Sequence, residues 1–563
     1  MIKFLPSRAL QVLAVFTLTL VNTTSMAASP DSDKVKLVVQ ITVDQLRGDA
    51  VNRFEENFTS SGFRYFRDRG LHYVNAHYPY SDTETAPGHA SLATGAMPSI
   101  HGIVSNDWLN PTTGEFVYNT EDDRHSYIGM EPRRNQGVSP KNMLSSTFGD
   151  ELVFDSAGRS RSFSVSSKDR GAILPGGHAG KAFWFSNRSA TMVSSTYYYD
   201  AYPEWVVSWN AAKPASKFSE KSWSLLYPKE RYLARDRDDR PFEVDALGLG
   251  RVFPHSFPAM SSKTFPVALY LTPMADIITL GFAKTLIDEE QVGQRGFVDY
   301  LAVSFSAPDI AGHLFGQASL EYEDAVLRTD QNIADLLQHL DDRVGLENIL
   351  IVLSADHGGA EAPEYVASKG FPAGRLPLDW VRSGTLLNKP MKERFGRDDL
   401  IAGHSHPYIY LNAAVLAEAE LETADVEQFV ANELVKVEGI RAAYTKSQIQ
   451  TGNLPDTPLV QQVIRNFHPE RSGNVHYIQD QYWFVHSSEE AEKLGVSSLA
   501  SIHGSPWSYD TYVPVMFVGP GVPNKRVSRR ISPLDIAPTL SSFLGIKAPS
   551  GTTANVLVEV VEP

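Results

Sequence analysis

KLVVQITVDQ, residues 36–45, is a β-branched apolar run that ends abruptly in a carboxylate and an amide. An apolar run with no polar alternation predicts a strand covered on both faces, as in a parallel sheet. Asp44 then falls at the carboxyl end of that strand, where open α/β sheets hold ligands. The same grammar recurs along the chain. FVDYLAVSF (297–305) is followed by Asp309 and His313, NILIVLS (348–354) by Asp356 and His357, and SRSFSV (160–165) by Lys168 and Arg170. Helical patterns lie between these runs: about Asp49 to Gly70, from Thr272-Pro273 through Met274, Ile277, Ile278, Phe282 and Leu286, and from Ser319 through Leu340. Strands and helices in alternation predict an α/β fold with a mostly parallel central sheet and helices on both faces. A late strand, Val513 to Val518, and a helix, Ser532 to Leu544, close the chain.

SDTETAPGHASLATGAMPSIHGIVSND (81–107) is a second focus. Pro87 and Gly95 bracket a short helix, His89 to Thr94. Thr85 is expected just before its amino terminus, either as an N-cap or as a nucleophile beside a bound phosphate. Thr83 is as good a candidate on local grounds. Lys168 and Arg170 are two apart, so on extended backbone they share a face; Arg offers a planar fork and Lys a point charge to phosphate oxygens.

The chain has 563 residues, 42% hydrophobic and 21% charged, enough for a large core. With no cysteine it has no disulfide, no thiolate ligand and no cysteine nucleophile, so a metal site must use His and carboxylates. Asp44, Asp309, His313, Asp356, His357 and His503 all fall at strand exits or glycine-bounded turns. An Asp after a strand is often a helix cap and a buried His often a core residue, but together the six form a ligand set suited to two zinc ions, with manganese or iron chemically allowed. His178, His404 and His406 are read as structural or as supports behind the ligands. Lys3 and Arg8, an apolar run from Ala9 to Val21 and small residues at Ser25-Met26-Ala27 predict a cleaved signal peptide over residues 1–27. Its removal takes away two cations and no acid, so the formal charge of −15 becomes −17. That balance provides no general footprint for nucleic acid. Gly180 to Pro266 is rich in aromatics and turn residues and is read as an insertion near the site; residues 360–500 are a second, less readable insertion containing a helix from Thr423 to Val437 and a polar linker around Gln448 to Pro458.

VDQ at Asp44, TETAPGH at Thr85, SND at Asn106, SKDRGAILP at Lys168, SAPDIAGH at Asp309, SADHGG at Asp356 and HGSPWSYDTYVP at His503 occur in that order. Together with SPLDIAPTLSSFLGI near the end, they resemble the alkaline phosphatase superfamily, and within it the phosphate-irrepressible alkaline phosphatases with a threonine nucleophile. The resemblance runs from Lys36 to Lys547 and implies one alkaline-phosphatase-like catalytic domain over residues 28–563, with insertions at about 180–266 and 360–500. It implies two zinc ions per chain, one held by Asp309, His313 and His503, the other by Asp44, Asp356 and His357 with Thr85. Thr85 would be phosphorylated, and Asn106, Lys168 and Arg170 would bind the non-bridging oxygens. Two cations over the transferred group favour the dianion of a monoester over the monoanion of a diester, so a small-molecule phosphate monoesterase is expected ahead of a nucleotide pyrophosphatase/phosphodiesterase. A sulfatase is disfavoured by Thr at the nucleophile position and the lack of cysteine; a magnesium-assisted serine phosphatase would need a third metal site, which the sequence does not identify, and a non-catalytic metal- or phosphate-binding protein is disfavoured because every ligand and nucleophile position is filled. The expected protein is a periplasmic or secreted monomer with no membrane association once the signal is removed.

Overall fold

The computed structural model describes residues 31–129, 137–377, 386–486 and 498–562. The expected signal peptide lies outside the described residues. A nine-stranded sheet forms the centre. In chain order its strands are β1 Leu37–Val43, β2 Leu71–His77, β3 Ser162–Ser166, β4 Lys181–Phe185, β5 Met192–Val193, β6 Asp299–Phe305, β7 Ile349–Ser354, β8 Tyr512–Val518 and β9 Lys525–Val527. Their spatial order is β9-β2-β8-β7-β1-β6-β3-β4-β5. β7, β1, β6, β3 and β4 are neighbours and mutually parallel, while β8 is antiparallel to both its neighbours. All seven residues of β1 are buried, as the unbroken apolar run requires. The fold is α/β with a mostly parallel central sheet covered by helices.

This topology places chemistry side by side. The exits of β7, β1, β6 and β3 carry Asp356/His357, Asp44, Asp309/His313 and Lys168/Arg170, in that spatial order. With strands about 4.8 Å apart, four adjacent exits span only about 15 Å. The helices that follow or cover them are α1 Thr85–Thr94, α2 Asp169–Gly176, α3 Met274–Glu289, α4 Ala307–Phe315, α5 Leu320–Arg343 and α6 Ile536–Leu544. Ser319 caps α5 by accepting from Tyr322 N, and Ser532 with Asp535 forms a capping box just ahead of α6.

Several expected elements are corrected. The helix anticipated from Asp49 to Gly70 is broken into Ala50–Arg53, Glu55–Asn57 and Phe63–Arg69. Asp330 on α5 is responsible, accepting from Thr59 N and Phe63 N at 2.7 Å each, so these amides bond across the fold. The aromatic stretch from Gly180 begins inside the central sheet as β4 and β5, and its later part is pinned to α5, where Asp324 accepts from Trp223 Nε1 and Tyr232 OH at 2.6 Å each. Part of the polar linker is the helix Lys446–Thr451, started by a Thr445/Gln448 capping box. Residues 386–486 build a four-stranded antiparallel sheet of Ile401–Ser405, Tyr408–Leu411, Ile440–Thr445 and Val475–Gln479, with a separate apolar core around Ile409, Val426, Val430 and Tyr477.

α1 crosses directly over the exit of β7. A Cβ at Gly88 would sit 2.1 Å from Asp356 O and 2.7 Å from Asp356 C, a clash with backbone that has nowhere to move. Gly88→Ala is expected to push α1 off the strand end, lowering turnover about 100-fold and stability by about 1–3 kcal/mol. Steady-state kinetics and urea unfolding check this; wild-type values for both would show that the close approach is dispensable.

Candidate active site

α1 begins earlier than its sequence suggests. Thr85 is its first residue and Glu84 the N-cap, so Thr85 is not the cap. The two threonines also separate. Thr83 Oγ1 donates to Ser505 O at 2.9 Å and accepts from Ser505 N at 3.1 Å, whereas Thr85 Oγ1 lies 3.4 Å from His357 Nε2. Thr83 is spent on a loop; the Thr85 hydroxyl faces the strand exits.

Around it the six expected acids and imidazoles converge. Ligand atoms of Asp44, Asp356 and His357 lie within 4.8 Å of one another, as do those of Asp309, His357 and His503. His313 Nε2 is 3.2 Å and His503 Nε2 3.4 Å from the same oxygen, Asp309 Oδ1. His357 stacks on His503 with ring centroids 3.6 Å apart, so it borders both groups. Helical spacing in α4 is what places Asp309 and His313 on one side. Each imidazole binds a backbone carbonyl through Nδ1: His313 to Ser501 O at 2.9 Å, His357 to Gly358 O at 2.8 Å and His503 to Thr83 O at 3.0 Å. A carbonyl only accepts, so each Nδ1 carries the proton and each Nε2 turns a lone pair to the cluster. His178 instead bonds to Met143 O and His404 to Tyr477 OH, while His406 bridges Tyr477 OH and Gly504 O, the carbonyl next to His503, at 3.0 and 2.9 Å.

The residues suit divalent cations. Among the described residues, Asp44 Oδ1 and Asp356 Oδ2 are buried and accept no well-formed hydrogen bond, with only His357 Nε2 at 3.4 Å and His89 Nδ1 at 3.1 Å beside them, which is costly for a carboxylate unless a cation is near. Burial and Asp309 push the Asp44 pKa up, but Lys168 and His357 outweigh them and hold it well below the usual carboxylate range. Burial also opposes ionisation of Asp309, and His313 and Lys168 hold it ionised. Burial drives the His503 pKa down to about 4, helped by His357. Burial opposes protonation of His357, but Asp356 and Asp44 outweigh it and raise its pKa to about 9; the ionised carboxylates and the neutral His503 suit metal ligation, and a cation at His357 would displace that proton.

Lys168 and Arg170 diverge from the shared-face expectation. Lys168 has extended backbone, but α2 starts at the next residue, so Arg170 does not continue the same extended stretch. The buried Lys168 Nζ lies 2.6 Å from Asp44 Oδ2 and 2.5 Å from Asp309 Oδ2, while Arg170 Nη1 reaches Tyr118 OH at 3.4 Å. Asn106 is tied to the start of α1: its N donates to Glu84 Oε2 at 2.6 Å and its Oδ1 accepts from Ala86 N at 3.0 Å.

Two residues at the site escaped the sequence reading. Gln45, at φ 61°, donates Nε2 to Asp309 Oδ1 at 2.8 Å and N to Asp356 Oδ1 at 3.2 Å, touching a carboxylate of each group, and its own Oε1 accepts from Gln317 Nε2 at 2.6 Å. His89 Nδ1 lies 3.0 Å from Thr85 O and 3.1 Å from Asp356 Oδ2, with Nε2 2.9 Å from Ser304 Oγ. Their adjacency to Asp44 and their position four residues after Thr85 were the available signals.

Comparison with known proteins gives this constellation its family. Residues 38–506 match the family described as type I phosphodiesterase / nucleotide pyrophosphatase. The chain is 34% identical to the alkaline phosphatase PhoV of Synechococcus elongatus, over 94% of its length and 93% of the relative's. It is 33% identical to the alkaline phosphatase PafA of Elizabethkingia meningoseptica, over 93% and 94%. A protein of Myroides odoratus named calcium-transporting ATPase is also 33% identical, over 96% and 97%. The crystal structure of PafA superposes with a TM-score of 0.85 at 32% identity, covering 94% of this chain and 99% of that one. The chain belongs to the phosphate-irrepressible alkaline phosphatases.

It is therefore an enzyme, an alkaline phosphatase, whose homologues support phosphate monoester hydrolysis with divalent metals. Among the described residues, no helix is long and apolar enough to cross a membrane. Gln45→Leu removes the side-chain donor to Asp309 and is expected to weaken metal binding about 10- to 100-fold. Competition with a chromogenic chelator measures this, and unchanged affinity would deny Gln45 that role.

Proposed function

We propose that this phosphatase transfers the phosphoryl group of a small phosphate monoester to Thr85, and that water then cleaves the phosphothreonine to release inorganic phosphate. The carrying observation is the convergence of three carboxylates and three Nε2 lone pairs beside the Thr85 hydroxyl. Two zinc ions fit this donor set. Asp309, His313 and His503 would hold one, and Asp44, Asp356 and His357 the other, with Thr85 completing it. Bound there, the cations supply Lewis-acid charge to the attacking and leaving oxygens and lower the pKa of the attacking hydroxyl.

The chain's own groups do the rest. Thr85 Oγ1 forms a bond to phosphorus as the ester P–O bond breaks, and the alcohol leaves on the opposite side. Because Asn106 Oδ1 is engaged by Ala86 N, its Nδ2 is left to donate to a non-bridging oxygen. Lys168 and Arg170 supply two positive charges there, which complement a monoester dianion better than a diester monoanion. A solved quadruple variant of PafA supports this grouping. Its replaced threonine, asparagine, lysine and arginine are separated by 21, 62 and 2 residues, the intervals between Thr85, Asn106, Lys168 and Arg170. The periplasm or the extracellular space is the proposed compartment, with the enzyme acting as a monomer and without nucleic acid.

Thr85→Ala is expected to abolish a trappable phosphoenzyme formed from a labelled monoester, while elemental analysis still finds about two metal ions per chain. Full turnover by that variant would remove Thr85 as the nucleophile.

A further inference from the structure

Among the described residues the Arg170 guanidinium makes no direct hydrogen bond to Asp169; only the Arg170 backbone N does, donating to Asp169 Oδ1 at 2.7 Å. The Tyr118 hydroxyl lies between them, donating to Asp169 Oδ1 at 2.7 Å and accepting from Arg170 Nη1 at 3.4 Å. Arg170 Nε is buried without a partner, so part of the fork remains free for a ligand. Burial, reinforced by Asp169, raises the Tyr118 pKa well above its ordinary value, so the phenol keeps the proton it donates.

Tyr118 ends the strand Phe116–Tyr118, which pairs with Asp107–Leu109 in a hairpin that begins directly after Asn106. Asp107 and Tyr118 are opposite each other, and the next residue, Asn119, donates both N and Nδ2 to Asn106 O, at 3.1 and 2.7 Å. One hairpin base thus fixes Asn106 and the group that holds Arg170.

We infer that Tyr118 is a specificity-determining positioning residue, which occupies Asp169 so that the Arg170 guanidinium stays unpaired and available to the second negative charge of a phosphate monoester. Without the phenol oxygen, Asp169 Oδ1 retains only the Arg170 backbone N, and the carboxylate can turn its remaining acceptor capacity to the guanidinium, a stronger, charge-assisted partner that competes with phosphate. The inference rests on the reading of Lys168 and Arg170 as the groups that bind the transferred oxygens.

The test compares kcat/KM for a monoester and a diester with the same leaving group, together with competitive inhibition by inorganic phosphate, in the metal-loaded enzyme. Arg170→Ala first tests the underlying reading by losing monoester turnover selectively; equal losses on both substrates would overturn that reading. Tyr118→Phe is then expected to lower monoester kcat/KM about 10- to 100-fold, weaken phosphate inhibition in step and leave diester turnover within about threefold. Adding Asp169→Asn to Tyr118→Phe should restore most of the loss, and Tyr118→Phe should cost nothing further in the Arg170→Ala background. Equal losses on both substrates in Tyr118→Phe, an undiminished effect without Arg170, or no rescue by Asp169→Asn would each overturn the role of Tyr118.

Discussion

Asp44, Asp309 and Asp356 are sealed from water at the exits of three adjacent parallel strands, where every unpaired charge costs several kcal/mol. Much of the surrounding structure is an answer to that constraint. Lys168 reaches in from the fourth strand and binds two of the three carboxylates. Three imidazoles, each with Nδ1 tied to a backbone carbonyl, present Nε2 to the same space. Gln45 spans the two groups with its backbone and its side chain. A protein that only needed stability would replace such a cluster with apolar residues; a site built to receive divalent cations has reason to keep it.

The same constraint explains how the proposed nucleophile is placed. α1 meets the exit of β7 at Gly88, where no side chain fits, and this lowers Thr85 onto His357. Glu84, one residue earlier, holds Ser105 and Asn106, so the proposed nucleophile and the proposed donor to the transferred group share one anchor. From Asn106 the hairpin continues to Tyr118 and the cation at Arg170. The proposed oxygen-binding groups are therefore tied to one another by hydrogen bonds, as are the proposed metal-binding groups, and the two sets meet at the start of α1.

Much of this was legible in the sequence because parallel strands bury both faces and so leave unbroken apolar runs. Leu37–Val43, Asp299–Phe305 and Ile349–Ser354 lie where KLVVQITV, FVDYLAVSF and NILIVLS placed them, and five of the six acids and imidazoles follow from their exits; His503 comes from the loop ahead of β8. What escaped depends on partners far away in the chain. The break in the helix after Asp49 is made by Asp330, the aromatic stretch is anchored by Asp324, and the direction of Arg170 is set by a helix start that local spacing does not announce. Gln45 and His89 escaped because their importance lies in the atoms they touch, and glutamine after a strand or histidine in a helix has no pattern of its own. The choice of Thr85 over Thr83 rested on family resemblance, and the hydrogen bonds of Thr83 to Ser505 give it an independent physical basis.

The account stands most directly on two cations sharing this pocket. Anomalous diffraction from crystals of the enzyme, collected on both sides of the zinc absorption edge, locates such ions without reference to activity. Two zinc peaks about 3.5–4 Å apart, one against Asp309, His313 and His503 and the other against Asp44, Asp356 and His357, are the expected result. A single peak, or ions bound elsewhere with Lys168 still bridging Asp44 and Asp309, would contradict it.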